Sequence, residues 1–175
     1  MSEHPDLPYE GGCRCGQVRI KVSTPPILAA ACHCKGCQRM TGSAYSITVT
    51  IPSDGFAVTQ GEPVMGGMHG DVHHHHCPHC LSWVFTTAEF FQGVVNLRAT
   101  MLDDPTWFVP FIETYTSEML PWAGTPAQHS YEKFPDFEDG LQYFTALENA
   151  QDLILTRNLR DFKNSLIFLL ILTCI

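Results

Sequence analysis

Cys32-His33-Cys34-Lys35-Gly36-Cys37 places three thiols within six residues. Two ligand geometries are nested in it. On an extended chain residues i and i+2 point to the same face, so Cys32 and Cys34 can bind one ion while His33 points away from it. The two-residue gap from Cys34 to Cys37 lets one tight turn aim both sulfurs at that ion, and Gly36 suits the turn. Both patterns recur outside this stretch. Cys13-Arg14-Cys15 repeats the one-residue gap upstream, and Cys77-Pro78-His79-Cys80 repeats the two-residue gap downstream. Seven of the eight cysteines are used in this way.

Structural zinc is usually held by four tetrahedral ligands, with thiolate sulfurs at about 2.3 Å. Seven cysteines cannot fill two such sites, so the natural partition is four plus three. Two pairs close one site. The triplet Cys32, Cys34 and Cys37 forms another with an open position, which is the mark of a catalytic zinc. Spacing alone does not fix partners, so joining Cys13 and Cys15 to Cys77 and Cys80 is an inference at this point. Two alternatives stay open. A fourth protein ligand such as histidine would make the triplet purely structural, or the cysteines bind no metal. Cys174 stands apart in an apolar tail and reads as an inert buried thiol.

Around the clusters the pattern is that of strands. Gln17 to Val22 alternates polar and apolar residues, which predicts a strand with one buried face, ended by Pro25-Pro26. Ile27 to Ala31 predicts a short strand leading into Cys32. Ala44 to Ile51 has strand composition, and Pro52-Ser53-Asp54-Gly55 is a turn signal. Phe56 to Thr59, Trp83 to Thr86 and Val94 to Ala99 add further strands. His73 to His76 could bind metal as a histidine tract. Successive strand residues alternate faces, however, so a partly buried edge strand entering the Cys77 turn is the preferred reading.

The composition changes after Pro135. Phe137, Leu141, Phe144 and Leu147 predict an amphipathic helix over 137–150 with Asp136 as N-cap. Asp152 to Thr156 then reads as a strand and Asn158 to Ser165 as a polar connection. The domain division is therefore 1–135 and 136–175. Leu166 to Ile175 is too short to span a bilayer, which takes about 20 apolar residues, and no membrane association is expected.

Of the 175 residues, 45% are hydrophobic and 16% charged, which is globular composition. The formal net charge of −8 argues against a nucleic-acid partner held through phosphates. Met1 to Glu10 shows no basic stretch followed by an apolar one, so a secretory signal is not expected. A cytoplasmic, reducing location follows as an expectation, and there clustered cysteines are read as metal ligands before disulfides.

Gly11-Gly12-Cys13-Arg14-Cys15-Gly16, then Cys32-His33-Cys34-x-x-Cys37, then Cys77-x-x-Cys80 resemble the glutathione-dependent formaldehyde-activating enzyme family. Val95-Asn96-Leu97-Arg98-Ala99, Trp107, Pro110 and Leu120-Pro121-Trp122-Ala123 are similar to its later part, and the resemblance covers roughly 9–135. It implies a mainly β fold of the β-tent type, with small antiparallel sheets around zinc, to which the helix and strand read after Pro135 add a C-terminal α/β tail. It implies two zinc ions per chain, one structural on Cys13, Cys15, Cys77 and Cys80 and one exchangeable and catalytic on Cys32, Cys34 and Cys37. It implies a carbon–sulfur lyase that adds glutathione to formaldehyde. The expected partner is a small thiol, and a homo-oligomer is left open. Leu81 departs from the pattern, which has glycine after the last cysteine. Glycine permits a positive φ there, so leucine predicts a different turn or a divergent subgroup.

A three-thiolate zinc with an open site could take glutathione as its thiolate. His33 and Lys35 could serve it as proton shuttle or carboxylate anchor, although each reads first as a surface residue. A non-catalytic zinc-binding interaction module is the alternative. In the tail, Asp136 to Asp139 and Leu155 to Phe162 resemble part of a PIN-domain ribonuclease. That implies magnesium-binding acids at Asp139 (or Asp136) and Asp161, but the first half of such a domain is missing. A ribonuclease fragment is therefore the remote alternative.

Overall fold

The structure, a computed structural model, describes residues 5–66, 70–89 and 93–135. The expected helix over 137–150, the strand and connection after it, the apolar tail with Cys174, the acids Asp136, Asp139 and Asp161, and the division after residue 135 rest on residues outside this set.

The alternating segments form strands where the sequence places them, with ends shifted by one or two residues. The strands are β1 (Tyr9–Gly12), β2 (Arg19–Val22), β3 (Leu28–Cys32), β4 (Ser46–Pro52), β5 (Phe56–Gln60), β6 (Val64–Gly66), β7 (Val72–His76), β8 (Trp83–Ala88), β9 (Val94–Arg98), β10 (Ile112–Thr114) and β11 (His129–Ser130). One helix, α1 (Lys35–Thr41), follows β3. The fold is mainly β, as expected. β1, β2 and β5 make a three-stranded antiparallel sheet. The other eight strands make a second sheet in the order β11-β10-β3-β4-β9-β8-β7-β6. It is larger than the small sheets expected, and β10 runs parallel to both neighbours.

The core lies between the sheets. Ile20 and Val22 of β2 meet Val49 and Ile51 of β4, Val84 and Phe85 of β8, and Val95 and Leu97 of β9. Each such side chain fully removed from water stabilises the fold by roughly 1.5–3 kcal/mol, so this cluster is the main apolar contribution. Cys13 and Cys77 belong to it, and Cys80 packs against it. Gly11 is required here. A Cβ at Gly11 would lie 2.1 Å from the Met101 carbonyl oxygen, where Gly11 bridges to Leu102.

The opposite face of the large sheet is polar, yet buried. Ser46, Thr48, Thr50, Asn96 and Arg98 are each at most 7% exposed. The register explains their alignment: Cys32 lies opposite Ser46, Thr48 opposite Arg98, and Thr50 opposite Asn96. Directly opposed residues share a face. The Thr50 hydroxyl donates to Asn96 Oδ1 at 2.8 Å.

The histidine run forms β7, with alternate rings on opposite faces. His74 bonds Thr86 at 2.9 Å and meets the Trp83 ring edge-on. His75 stacks on Phe85 and bonds Thr87 at 2.9 Å. The four rings therefore do not converge on one ion. The edge assignment needs correction, because β6 covers the outer side of β7. Val64 and Met65 carried no signal that found β6.

Candidate metal centres

Two loops of the core bring the first four sulfurs together. Cys13 N–H donates to the Val18 carbonyl at 3.0 Å and Gly16 N–H to the Cys13 carbonyl at 2.9 Å, closing one loop. Gly16 sits at φ +78, a conformation that glycine adopts without strain. Leu81 N–H donates to the Cys77 carbonyl at 3.0 Å, closing the other. Arg14 N–H donates to Ser82 Oγ at 3.3 Å and joins them.

The Sγ atoms of Cys13, Cys15, Cys77 and Cys80 all lie within 4.8 Å of one another. Cys13 to Cys15 is 3.5 Å and Cys15 to Cys77 is 3.7 Å. A tetrahedron with metal–sulfur bonds of about 2.3 Å has sulfur–sulfur edges of about 3.8 Å, so these spacings fit a thiolate site. The electrostatics agree. The Ser82 hydroxyl brings the Cys80 thiol down to about 5. Against a backbone N–H bond from Gln17 that favours its thiolate, desolvation and the neighbouring thiols push Cys15 up to about 12. Four such thiols cannot all ionise unless a cation balances them. The four thiols joined by inference from the sequence lie together in the structure.

Leu81 keeps the turn that a glycine would make, contrary to the expectation of a different one. Its φ is +57, and its side chain is exposed. The Cys77 loop closes on the Leu81 N–H, which holds the residue there. A left-handed conformation costs a non-glycine residue roughly 1–2 kcal/mol, offset in part by the greater freedom of glycine in the unfolded chain. Leu81→Gly should therefore stabilise the domain by up to about 1 kcal/mol. Thermal melting of the metal-loaded chain will show this as a higher midpoint, and a lower one would mean that the leucine side chain holds the loop.

The second cluster stands at the end of β3. Cys34 is the N-cap of α1, with its Sγ accepting from Cys37 N–H at 3.3 Å. The helix ends on Gly42 in a left-handed cap. Cys32, Cys34 and Cys37 have sulfurs within 4.8 Å of one another, and among the described residues no further His, Cys, Asp or Glu joins them. All three are buried, with Trp83, Met40 and Tyr115 packed around them, separate from the main core. The Cys34 thiol donates to Cys37 and, with the nearby Arg98 charge, brings Cys37 down to about 7 against the effect of burial. The bond to Cys37 pushes Cys34 up, as burial does.

His33 is not a surface residue, which corrects that expectation. It points away from the triplet, as the extended spacing implies, and is fully buried. His33 Nε2 lies 3.1 Å from Glu113 Oε2. Glu113 also accepts from Thr125 Oγ1 at 2.7 Å and Ser130 Oγ at 2.6 Å. Burial pushes the Glu113 carboxyl up, but these hydroxyls and His33 hold it below its usual range. The ring is a brace for the peptide between Cys32 and Cys34. Lys35 is exposed, with Nζ donating to the Glu118 carbonyl at 3.3 Å. Its own N–H donates to Glu118 Oε2 at 2.6 Å.

Among families of known proteins, the one described as "Glutathione-dependent formaldehyde-activating enzyme" matches residues 8–118. The chain belongs to this family. The match includes both cysteine clusters. A Penicillium rubens protein that carries the same enzyme name provisionally is 24% identical over 159 residues, covering 85% of this chain and 83% of that one. A Rhodobacter sphaeroides protein of known crystal structure is 20% identical, with a TM-score of 0.44 over 54% of this chain and 87% of that one.

This member of the formaldehyde-activating family carries residues at the triplet that the spacing of cysteines did not reveal. Trp83 reaches it because the register of β7 on β8 shifts between His75 and His76. The extra residue, Val84, stays in the core, and the bulge re-aims Trp83 to the polar face. Tyr115 packs against the cluster with φ +57. Arg98 lies on the same face as Cys32 and over Trp83. Asn96 and Arg98 stand two residues apart on the strand, which puts them on one polar side, but such a side reads as solvated until its burial is seen.

Proposed function

We propose that this chain is a zinc-dependent enzyme joining a small thiol, glutathione first among them, to formaldehyde, formally a carbon–sulfur lyase reaction. The observation that carries the reading is the difference between the clusters: four sulfurs anchored in the core through Cys13 and Cys77 in one, three beside an aromatic wall in the other. Cys13, Cys15, Cys77 and Cys80 would hold a structural zinc. Cys32, Cys34 and Cys37 would hold an exchangeable one, and the family to which the chain belongs is named for this activity.

In the reaction the thiol sulfur forms a bond to the aldehyde carbon, the carbonyl π bond breaks, and the thiol proton ends on the new hydroxyl. Zinc held by the triplet would supply the positive charge that keeps a bound thiol deprotonated at neutral pH. The protein positions the groups around it. Glu113 holds His33 and so fixes the peptide between Cys32 and Cys34. Trp83, Met40 and Tyr115 exclude water from the sulfurs. Lys35, exposed one residue beyond Cys34, serves as an anchor for a substrate carboxylate. The zinc domain is residues 1–135, with 136–175 an appendage to it, and the reducing cytoplasm suits thiolate ligands.

The test is metal content and turnover on the same reduced sample. The chain is loaded with zinc, dialysed against a weak chelator and assayed for adduct formation from glutathione and formaldehyde by proton NMR. One retained and one exchangeable zinc, with turnover that follows the second, is the expected result. Two equally inert zinc ions and no acceleration would replace the enzyme with a binding module.

A further inference from the structure

Arg98 is 3% exposed, and Nε, Nη1 and Nη2 are all without a hydrogen-bond partner. No carboxylate pairs with it among the described residues. Its guanidinium carbon lies 3.9 Å from the centroid of the Trp83 ring. A cation over an indole gains far less than burying an unpaired ion costs. Trp83 packs against Cys32, Cys34 and Cys37. Cys32 shares the face of Arg98 through the Ser46 and Thr48 pairings. Ser46, also buried on that face, has its hydroxyl against Cys37. The feature that answers an orphaned buried cation is the group of sulfurs beside it.

We propose that Arg98 is the counter-charge of the three-cysteine cluster, and that it makes the open position of that cluster select an anionic thiolate over a neutral donor. The inference rests on the thiol chemistry proposed above and names the residue that would tune it. A divalent ion on three thiolates carries a net charge of −1. A thiolate in the open position raises this to −2, whereas imidazole leaves it unchanged. A fixed positive charge favours the first and is indifferent to the second. Burial lowers the Arg98 pKa to about 10, which still leaves the group charged at neutral pH. On this account Arg98 is a positioning residue acting through the cluster, and its burial is a stability cost that the fold retains for function.

The test compares wild type, Arg98→Met and Arg98→Lys as reduced, cobalt-loaded full chains. Glutathione and imidazole are titrated separately and followed by the cobalt absorption bands. Arg98→Met should weaken glutathione binding on the order of tenfold or more, since it removes the positive charge that faces the added thiolate. It should leave imidazole unchanged, and Arg98→Lys should stay near wild type. The metal-free Arg98→Met chain should melt at or above wild type, because an apolar side chain replaces an unpaired ion. Equal glutathione affinity, equal weakening of both probes, or a destabilised or unfolded Arg98→Met chain would overturn the proposal. If wild type itself takes no thiol, the functional reading fails and this one falls with it. A thiol response that Arg98→Met leaves intact removes this inference alone.

Discussion

Replacement of Cys77 by serine should abolish cooperative folding of the β domain around the four-cysteine group. Cys77 is fully buried within the main apolar cluster, and its sulfur is one corner of the four-cysteine group. Two effects combine. Serine buries a hydroxyl where a thiol packed, at roughly 1–3 kcal/mol if it finds no partner. Loss of the ligand matters more. Structural zinc contributes roughly 10–16 kcal/mol in small zinc domains, whereas whole domains are stable by roughly 5–15 kcal/mol. Cys15→Ser, at an exposed corner of the same group, should weaken metal binding with a smaller packing loss. Near-ultraviolet circular dichroism and a thermal scan check both. A cooperative melt for Cys77→Ser close to wild type would mean that the group carries no structural ion.

The contrast between these clusters was partly legible in the residues. One-residue and two-residue gaps identified all seven candidate ligands, because each gap has a backbone geometry that converges on a point. Alternation located β2 for the same reason, since it reports which side of a strand is buried, and strand composition located β4. It failed where burial is not apolar. Asn96 and Arg98 look solvated in the sequence, yet they are covered. β1 and β10 were missed because Gly11-Gly12 and Ile112-Glu113-Thr114 have no strong periodicity. β1 is placed by antiparallel pairing with β2 and β10 by parallel pairing with β3. α1 was missed because its start is marked by Cys34, a residue outside the usual capping set. The same residue is both cap and candidate ligand, so the chemistry concealed the local structure.

That double role makes Cys34→Ser the sharpest test of the triplet. Serine is among the best N-caps, so the substitution keeps a side-chain acceptor for Cys37 N–H and should leave α1 intact. Its hydroxyl is a far weaker zinc ligand than a thiolate at neutral pH. The metal-loaded chain should therefore retain one zinc, at the four-cysteine group, and lose the exchangeable one. Its melting midpoint should fall little, because the triplet packs outside the main core. Thiol–aldehyde adduct formation should drop to the uncatalysed rate. The three readings separate the causes. Loss of turnover with two zinc ions retained would place the chemistry elsewhere, and a large loss of stability would make the triplet structural. Turnover that survives the loss of the second zinc would remove the triplet from the reaction altogether. Only one retained zinc, a near-native melt and no turnover together fit a closed site that holds the fold and an open site that the substrate completes.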